Sequence, residues 1–265
     1  MTAKSMGPND AVLMERLSEH VALVTINRPD ARNAINGDVA AGMERAVQDT
    51  EADPDVWVVI LTGAGDKAFC AGADLKAVSG GGRGTLGTPN GGFAGFVHQP
   101  RTKPWIAAVN GFALAGGTEI ALRCDMIVAT EQSAFGLPEV KRALVASAGG
   151  LYRLPRALPK ALAIELIVTG DHFDAERAHH FGLVNRLVPN GKHIEEAKKL
   201  ANAICVNAPL AVRAALAVAR QAYDHTDAEL RKIGEEAGQK NMQTEDFKEG
   251  PRAFVEKRAP KWVGR

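Results

Sequence analysis

The sequence predicts an α/β fold, with a layered β–α body running to about Pro189 and a mainly helical C-terminal portion beyond a soft boundary near Asn207-Ala208-Pro209. Three observations carry that expectation. Apolar runs at 56–61 and 105–109 have the length and the flanks of strands buried on both faces of a parallel sheet. Segments of helical period follow strands at 35–51 and again through Glu119 to Arg123, so strand and helix alternate. From Pro159 onward helical spacing dominates. A chain of 265 residues, 46% of them apolar, is long enough to bury a substantial core as one large domain or as a body with an appendage.

Taken in order, 12–17 and 21–27 are β-prone runs separated by Ser18-Glu19-His20, which reads as an opening hairpin. Arg28-Pro29-Asp30-Ala31-Arg32-Asn33 breaks the second run. Residues 35–51 then form an amphipathic helix, with Val39, Met43, Ala46, Val47 and Thr50 near helical spacing. The run 56–61 sits between Pro54-Asp55 and Thr62-Gly63. The theme repeats in 105–109, a turn, a helix to Arg123 and a strand at 126–129. Helices are then expected at 160–168, 174–181, 194–205, 210–222, 228–241 and 246–257, with 183–188 as the only interrupting strand. This gives a frayed, disordered N-terminus over residues 1–10, a core domain over 11–206 and a helical region over 207–265. The glycine-rich stretch 79–92 is too rich in glycine to order cheaply and is expected to be mobile, either as a substrate-gating loop or as a surface insertion.

Composition narrows the function. The 32 basic and 31 acidic residues are well mixed and leave a formal charge of +1, so no global field draws nucleic acid or a membrane surface. The first residues lack the layout of a secretory signal, and no apolar run approaches a membrane span. Three widely spaced cysteines form no C-x-x-C pair, which fits a reducing compartment; a cytoplasmic location is expected. Two glycine patterns, at 82–87 and 63–68, match dinucleotide-binding spacing without its context. The first has no strand before it, and neither opens a long helix. Ser147 lacks the first glycine of a nucleophile elbow. His179 and His180 are adjacent, no histidine forms H-E-x-x-H, and no metal site is expected.

What remains points to an enzyme. Glu119 and Glu139 each follow a glycine-containing turn, in Ala115-Gly116-Gly117-Thr118-Glu119 and Phe135-Gly136-Leu137-Pro138-Glu139, and read as a carboxylate pair for general acid/base work. Phe69-Cys70-Ala71-Gly72-Ala73-Asp74 supplies a turn ahead of a helix start, where free backbone N–H groups can hold developing negative charge. Read alone, each glutamate also fits a structural role: Glu119 capping or salt-bridging its helix, Glu139 as a first-turn carboxylate favoured by the macrodipole.

Together these segments resemble the enoyl-CoA hydratase/isomerase (crotonase) superfamily from about Val12 to the C-terminus. Further carriers of the resemblance are Asn27-Arg28-Pro29 with Arg32-Asn33-Ala34, the run from Lys103 to Gly111, and Gly182-Leu183-Val184. The resemblance implies a crotonase-like spiral of ββα units whose helical C-terminal region mediates trimers, usually paired into hexamers. It implies an acyl-CoA thioester substrate and no metal or redox cofactor, with coenzyme A entering as part of the substrate. By the same resemblance the backbone N–H groups of Ala73 and Gly116 form an oxyanion hole, Glu119 is the base toward water, and Glu139 exchanges the proton at the α-carbon. The CoA moiety is expected against Arg32, Ala34, Ala71, Asp74 and Leu75. Lys257, with Arg258 and Lys261, is expected near a 3′-phosphate, from this subunit or a neighbour; a solvated basic tail is the other reading. Leu137 and Val145 are expected in the acyl pocket.

Two departures bear on the reaction. Ala115 occupies the first position of the usual triple-glycine turn, which is expected to be tolerable because it precedes the proposed donor. Residues 142–150 lack the proline-glycine element common in short-chain hydratases, and the tail at 249–260 resembles the carnitinyl-CoA dehydratase branch. Hydration of a 2-enoyl-CoA is therefore the leading expectation, with carnitinyl-CoA dehydration or enoyl-CoA isomerisation as alternatives. A non-catalytic RNA-binding homologue or a dinucleotide-dependent oxidoreductase stands outside them; the first calls for a basic stripe with stacking aromatics, which the sequence does not display.

Overall fold

The structure is a computed structural model and describes residues 3–79 and 86–265. In chain order its elements begin with β1 (Lys4–Ser5), β2 (Val12–Ser18), β3 (Val21–Ile26), α1 (Gly37–Ala52), β4 (Val58–Gly63), β5 (Ala68–Cys70) and α2 (Leu75–Ser79). There follow β6 (Gly87–Thr88), β7 (Gly92–Phe93), β8 (Trp105–Val109), β9 (Phe112–Leu114), α3 (Gly116–Arg123), β10 (Met126–Thr130), β11 (Ala134–Gly136) and a 3-10 turn at Pro138–Arg142. The remainder is α4 (Gly150–Ala157), α5 (Lys160–Thr169), β12 (His172–Asp174), α6 (Ala175–His180), β13 (Arg186–Val188), α7 (His193–Cys205), α8 (Pro209–Ala219), α9 (Asp227–Asn241) and α10 (Glu245–Val255).

The strands make a seven-stranded sheet in the order β1-β2-β3-β4-β8-β10-β13 and a four-stranded sheet in the order β12-β11-β9-β5. From β3 to β13 the large sheet is parallel. Each turn of the chain places one strand in the large sheet and the next in the small one before a helix or helical turn: β4-β5-α2, β8-β9-α3, and β10-β11 with the 3-10 turn. This is the expected spiral of ββα units. Period-2 alternation explains why the central strands are apolar throughout. Val59, Leu61, Trp105, Ala107 and Val109 face the main core, while Val58, Ile60, Ile106 and Ala108 face Ala197 and Ala201 of α7. Each such buried aliphatic side chain contributes roughly 1.5–3 kcal/mol.

Helix α1 starts where Asn36 accepts a hydrogen bond from the Val39 N–H at 3.0 Å, and it buries Val39, Met43, Ala46 and Val47. Ahead of it, Asn33 is fully buried in a left-handed conformation (φ 55°) that asparagine tolerates. Its Nδ2 donates to the carbonyls of Ala64 and Ala68, at 2.9 and 2.7 Å, tying the 28–35 segment to β5.

Four expectations need correction. Residues 3–10 are not frayed: Lys4 and Ser5 pair with Met14 and Leu13, and Met6 is buried against the core. The small sheet escapes sequence reading because each of its strands has only three residues, too few to display a period. One of them, β12, interrupts the helical second half that was expected to hold a single strand, and that strand, β13, begins only at Arg186. Of the glycine-rich stretch, 80–85 lies outside the described residues, but Gly87–Thr88 and Gly92–Phe93 form an antiparallel hairpin. Thr88 Oγ1 anchors this hairpin to Glu44 of α1 at 3.0 Å.

Candidate active site

The ββα spiral brings three chain segments to one cavity of about 1090 Å³, lined by Ala71 and Ala73, by Gly116 and Glu119, and by Glu139. The first is the turn between β5 and α2. Gly72 adopts φ +91°, and a Cβ there would lie 2.8 Å from Ala115 Cβ and 3.1 Å from the Gly116 nitrogen, so this turn abuts the N-terminus of α3 without an intervening side chain. Arg28 holds the turn from behind, donating to the Ala34 carbonyl at 2.6 Å and to the Asp74 carboxylate at 3.0 Å. Burial raises the Asp74 pKa, but the Arg28 hydrogen bond and charge and the Lys76 N–H outweigh it and hold the carboxyl below the usual range.

Among the described residues neither the Ala73 nor the Gly116 backbone N–H has an acceptor, although both residues line the cavity. Gly116 is the first residue of α3, so its N–H belongs to the helix's unsatisfied end. Ala115, just before it, is held at φ 53°, ψ −125°, a region that favours glycine. Alanine at that position is therefore present at a conformational cost, which the expectation of tolerance did not include. Gly117 is equally constrained: a Cβ there would meet the Cys70 carbonyl oxygen at 1.9 Å.

Glu119 lies one turn into α3 and is 3% exposed. Its Oε1 accepts from the Gly150 N–H at 2.9 Å. Burial above all, and then the charge of Glu139, push its carboxyl up to about 7 against the opposing Gly150 hydrogen bond. Glu139 sits in the 3-10 turn after β11. Burial raises its pKa as well, and among the described residues its buried Oε2 has no hydrogen-bond partner. Two carboxyls whose pKa values burial raises, facing one cavity beside two backbone N–H groups without an acceptor among the described residues, have the makings of paired proton transfer next to an anion-holding site.

Comparisons with known proteins identify the family. The family model described as enoyl-CoA hydratase/isomerase matches residues 16–265. The chain belongs to the enoyl-CoA hydratase/isomerase family. Enoyl-CoA hydratase EchA19 of Mycobacterium tuberculosis is 41% identical over the whole of both chains. The carnitinyl-CoA dehydratase of Salmonella typhi is 40% identical over 91% of this chain and 94% of its own length. Among solved structures, an enoyl-CoA hydratase from Mycobacterium tuberculosis H37Rv superposes with a TM-score of 0.92 at 44% identity, covering 96% of this chain and 99% of that one.

The remaining residues expected from the family pattern are distributed unevenly. Ala71, Leu75 and Val145 line the cavity with the glutamates and the two donors. Leu137 does not; it is buried behind the wall, where a Cβ on Gly150 would meet its Cδ1 at 2.8 Å. Asp74 is engaged by Arg28, and Ala34 is buried with its carbonyl turned to the same arginine. Arg32 lies apart, on a smaller cavity of about 390 Å³ with Asp66, Lys67 and Gln132. Lys257 is exposed beyond α10 and is not on the wall of this cavity. Sequence reasoning missed Phe93, His98 and His172 on the wall, and Gly150 behind it. A signal for Gly150 existed in the Gly149-Gly150 pair ahead of a helical pattern. No single helix among the described residues is long and apolar enough to cross a membrane.

Proposed function

We propose that the protein is an enoyl-CoA hydratase that adds water reversibly across the double bond of a 2-enoyl-CoA thioester. The observation that carries this reading is that buried Glu119 and half-buried Glu139, both with pKa values raised by burial, face one cavity with the N–H groups of Ala73 and Gly116, which have no acceptor among the described residues. In the forward direction the Glu119 carboxylate takes a proton from water as the water oxygen bonds to C3. The displaced π electrons move to the thioester oxygen, where the Ala73 and Gly116 N–H groups hold the charge; one such donor is typically worth about 100- to 1,000-fold in rate. The carbonyl re-forms as C2 takes the proton of Glu139, and exchange with solvent resets both carboxyls. The upward shift that burial gives the Glu139 pKa supports the acid role, because it favours the protonated form. No metal or redox cofactor enters this scheme, and coenzyme A is part of the substrate. We further propose that the working form is a homotrimer or a dimer of trimers, located in the cytoplasm.

Carnitinyl-CoA dehydration is the second reading, favoured by the 40% identity to the Salmonella typhi enzyme of that name. Mixing the protein with crotonyl-CoA and following the conjugated-thioester absorbance separates the two. Rapid loss with wild type and none with Glu119→Gln is the expected result. No loss with either protein removes crotonyl-CoA hydration and transfers the assay to carnitinyl-CoA.

A further inference from the structure

Glu119 is hydrogen-bonded by the first residue of α4, behind an irregular turn. Ala148 and Gly149 lie between the 3-10 turn and α4, with Gly149 at φ +120°, and Gly150, the first residue of α4, must present its N–H to Glu119 Oε1. The group that fixes this segment is Arg153. Its Nη1 donates to the Ala148 carbonyl at 3.0 Å and its Nη2 to the Val97 carbonyl at 3.1 Å. The guanidinium also packs directly on the Gly149 backbone, since a Cβ there would fall 2.0 Å from Nη1. Val97 is a firm anchor: it is fully buried, and its carbonyl also accepts from Arg123 Nε at 3.0 Å.

We propose that Arg153 is a positioning residue for Glu119: by clamping the Ala148 carbonyl to that of Val97, it fixes the Gly150 N–H and thereby the carboxylate that activates water. The role rests on the hydratase reading of Glu119. A planar guanidinium suits it because its fork spans two carbonyls at once, which an ammonium cannot do. The charges facing Glu119 are Glu139 from the 3-10 turn and Arg153 from α4, with His98, Arg142 and His172 elsewhere on the cavity wall. Arg153 is itself neighboured by Tyr152, Arg156 and Arg123. Of the two charges nearest Glu119, Arg153 favours its ionised form and Glu139 opposes it.

The test uses Arg153→Met and Arg153→Lys in the full chain, with kcat and KM measured from pH 5 to 9. In parallel, the Glu119 carboxyl is titrated by ¹³C NMR of labelled glutamate, assigned with Glu119→Gln. For Arg153→Met we expect kcat to fall about 10- to 100-fold with KM within about threefold, the scale of a misplaced reacting group. The acidic limb of its kcat profile and the Glu119 titration should both move to higher pH. Arg153→Lys keeps the charge and loses the fork, so kcat should still fall and, with the Gly150 N–H less well placed, its titration should also move to higher pH, by less than in Arg153→Met. Wild-type kcat in both variants overturns the proposal whatever the titrations do, and so does loss of melting temperature with unchanged kcat and unchanged titration. Should Arg153→Met fail to fold, Arg153→Lys decides by its kcat. Because the titration does not need turnover, a wild-type protein that leaves enoyl-CoA unchanged sinks the hydratase reading separately: a Glu119 titration unmoved in Arg153→Met would then sink the positioning role too.

Discussion

On the proposed reading Glu119 carries opposite demands from catalysis and from stability, and pH separates them. Its folded pKa of about 7 lies above the ordinary 4.5, so between those values the folded chain binds a proton that the unfolded chain releases. Stability therefore declines as pH rises from about 4.5 to about 7 and stays lower above. Glu119→Gln keeps an acceptor for the Gly150 N–H without the buried charge. It should melt higher than wild type at pH 8, by about 1–3 kcal/mol, and match it at pH 4; equal melting at both would refute the burial cost. The base must be ionised to act, so wild-type kcat should fall about tenfold per pH unit below about 7. Ala115 makes a second residue-scale case. A non-glycine residue in so sparsely populated a region costs about 1–3 kcal/mol, part of which glycine forfeits through its freer unfolded chain. Ala115→Gly should raise the melting temperature by a few degrees with activity retained; a lower one would mean that the turn is not strained. The glutamates themselves were legible because a glycine turn precedes each. The Gly150 partner of Glu119 was not, because 31 residues separate the two and only tertiary packing unites them.

At the scale of elements, the site is built where turns touch, and this decides which parts of it the sequence displays. Strands β4 and β8 are long and apolar enough to be recognised, whereas the three-residue strands of the small sheet are not, although β5, β9 and β11 lead straight into the turns that carry Ala73, Gly116 and Glu139. Motif residues instead reveal these turns. Arg28 and Asn33 are scaffolding, one tied to Asp74 and the other to β5, and the substrate has no need to touch them. The contact between the β5–α2 turn and α3 can be tested at Gly72. A Cβ there would press on Ala115 Cβ at 2.8 Å, the Leu114 carbonyl oxygen at 3.0 Å and the Gly116 nitrogen at 3.1 Å, and two of these are backbone atoms that yield only if an element moves. Gly72→Ala should therefore separate the two donors and lower kcat about 100-fold or more, the scale of losing one oxyanion donor. Wild-type kcat in a folded Gly72→Ala protein would show that the two N–H groups do not act together.

At the scale of the whole molecule, the C-terminal helices look unfinished as part of a single chain. Helix α9 buries none of its residues, and Tyr223, Met242, Phe254 and Val255 are exposed by 74%, 55%, 84% and 79%. Apolar exposure of that extent in one region is what the proposed assembly would cover. The region is nonetheless ordered: Asp246 is 3% exposed and accepts from the Val263 and Gly264 N–H groups at 2.8 and 3.0 Å, folding the tail back on α10. A defined apolar surface of this kind suits the trimer that the family resemblance implies, and it bears on Lys257, which follows α10 but does not reach this chain's own cavity. If Lys257 meets a CoA phosphate, it does so on a neighbouring copy, so assembly and CoA binding are linked. Light scattering should then give three or six copies of the 28.1 kDa chain. Replacing Phe254 and Val255 with aspartate should dissociate them and weaken binding of a CoA ester together with assembly, whereas Lys257→Ala should weaken binding and leave the assembly intact. A monomeric wild type would remove the oligomer and the shared phosphate site together. An oligomer whose ester affinity ignores Lys257 would leave the assembly standing and return the basic tail to solvent.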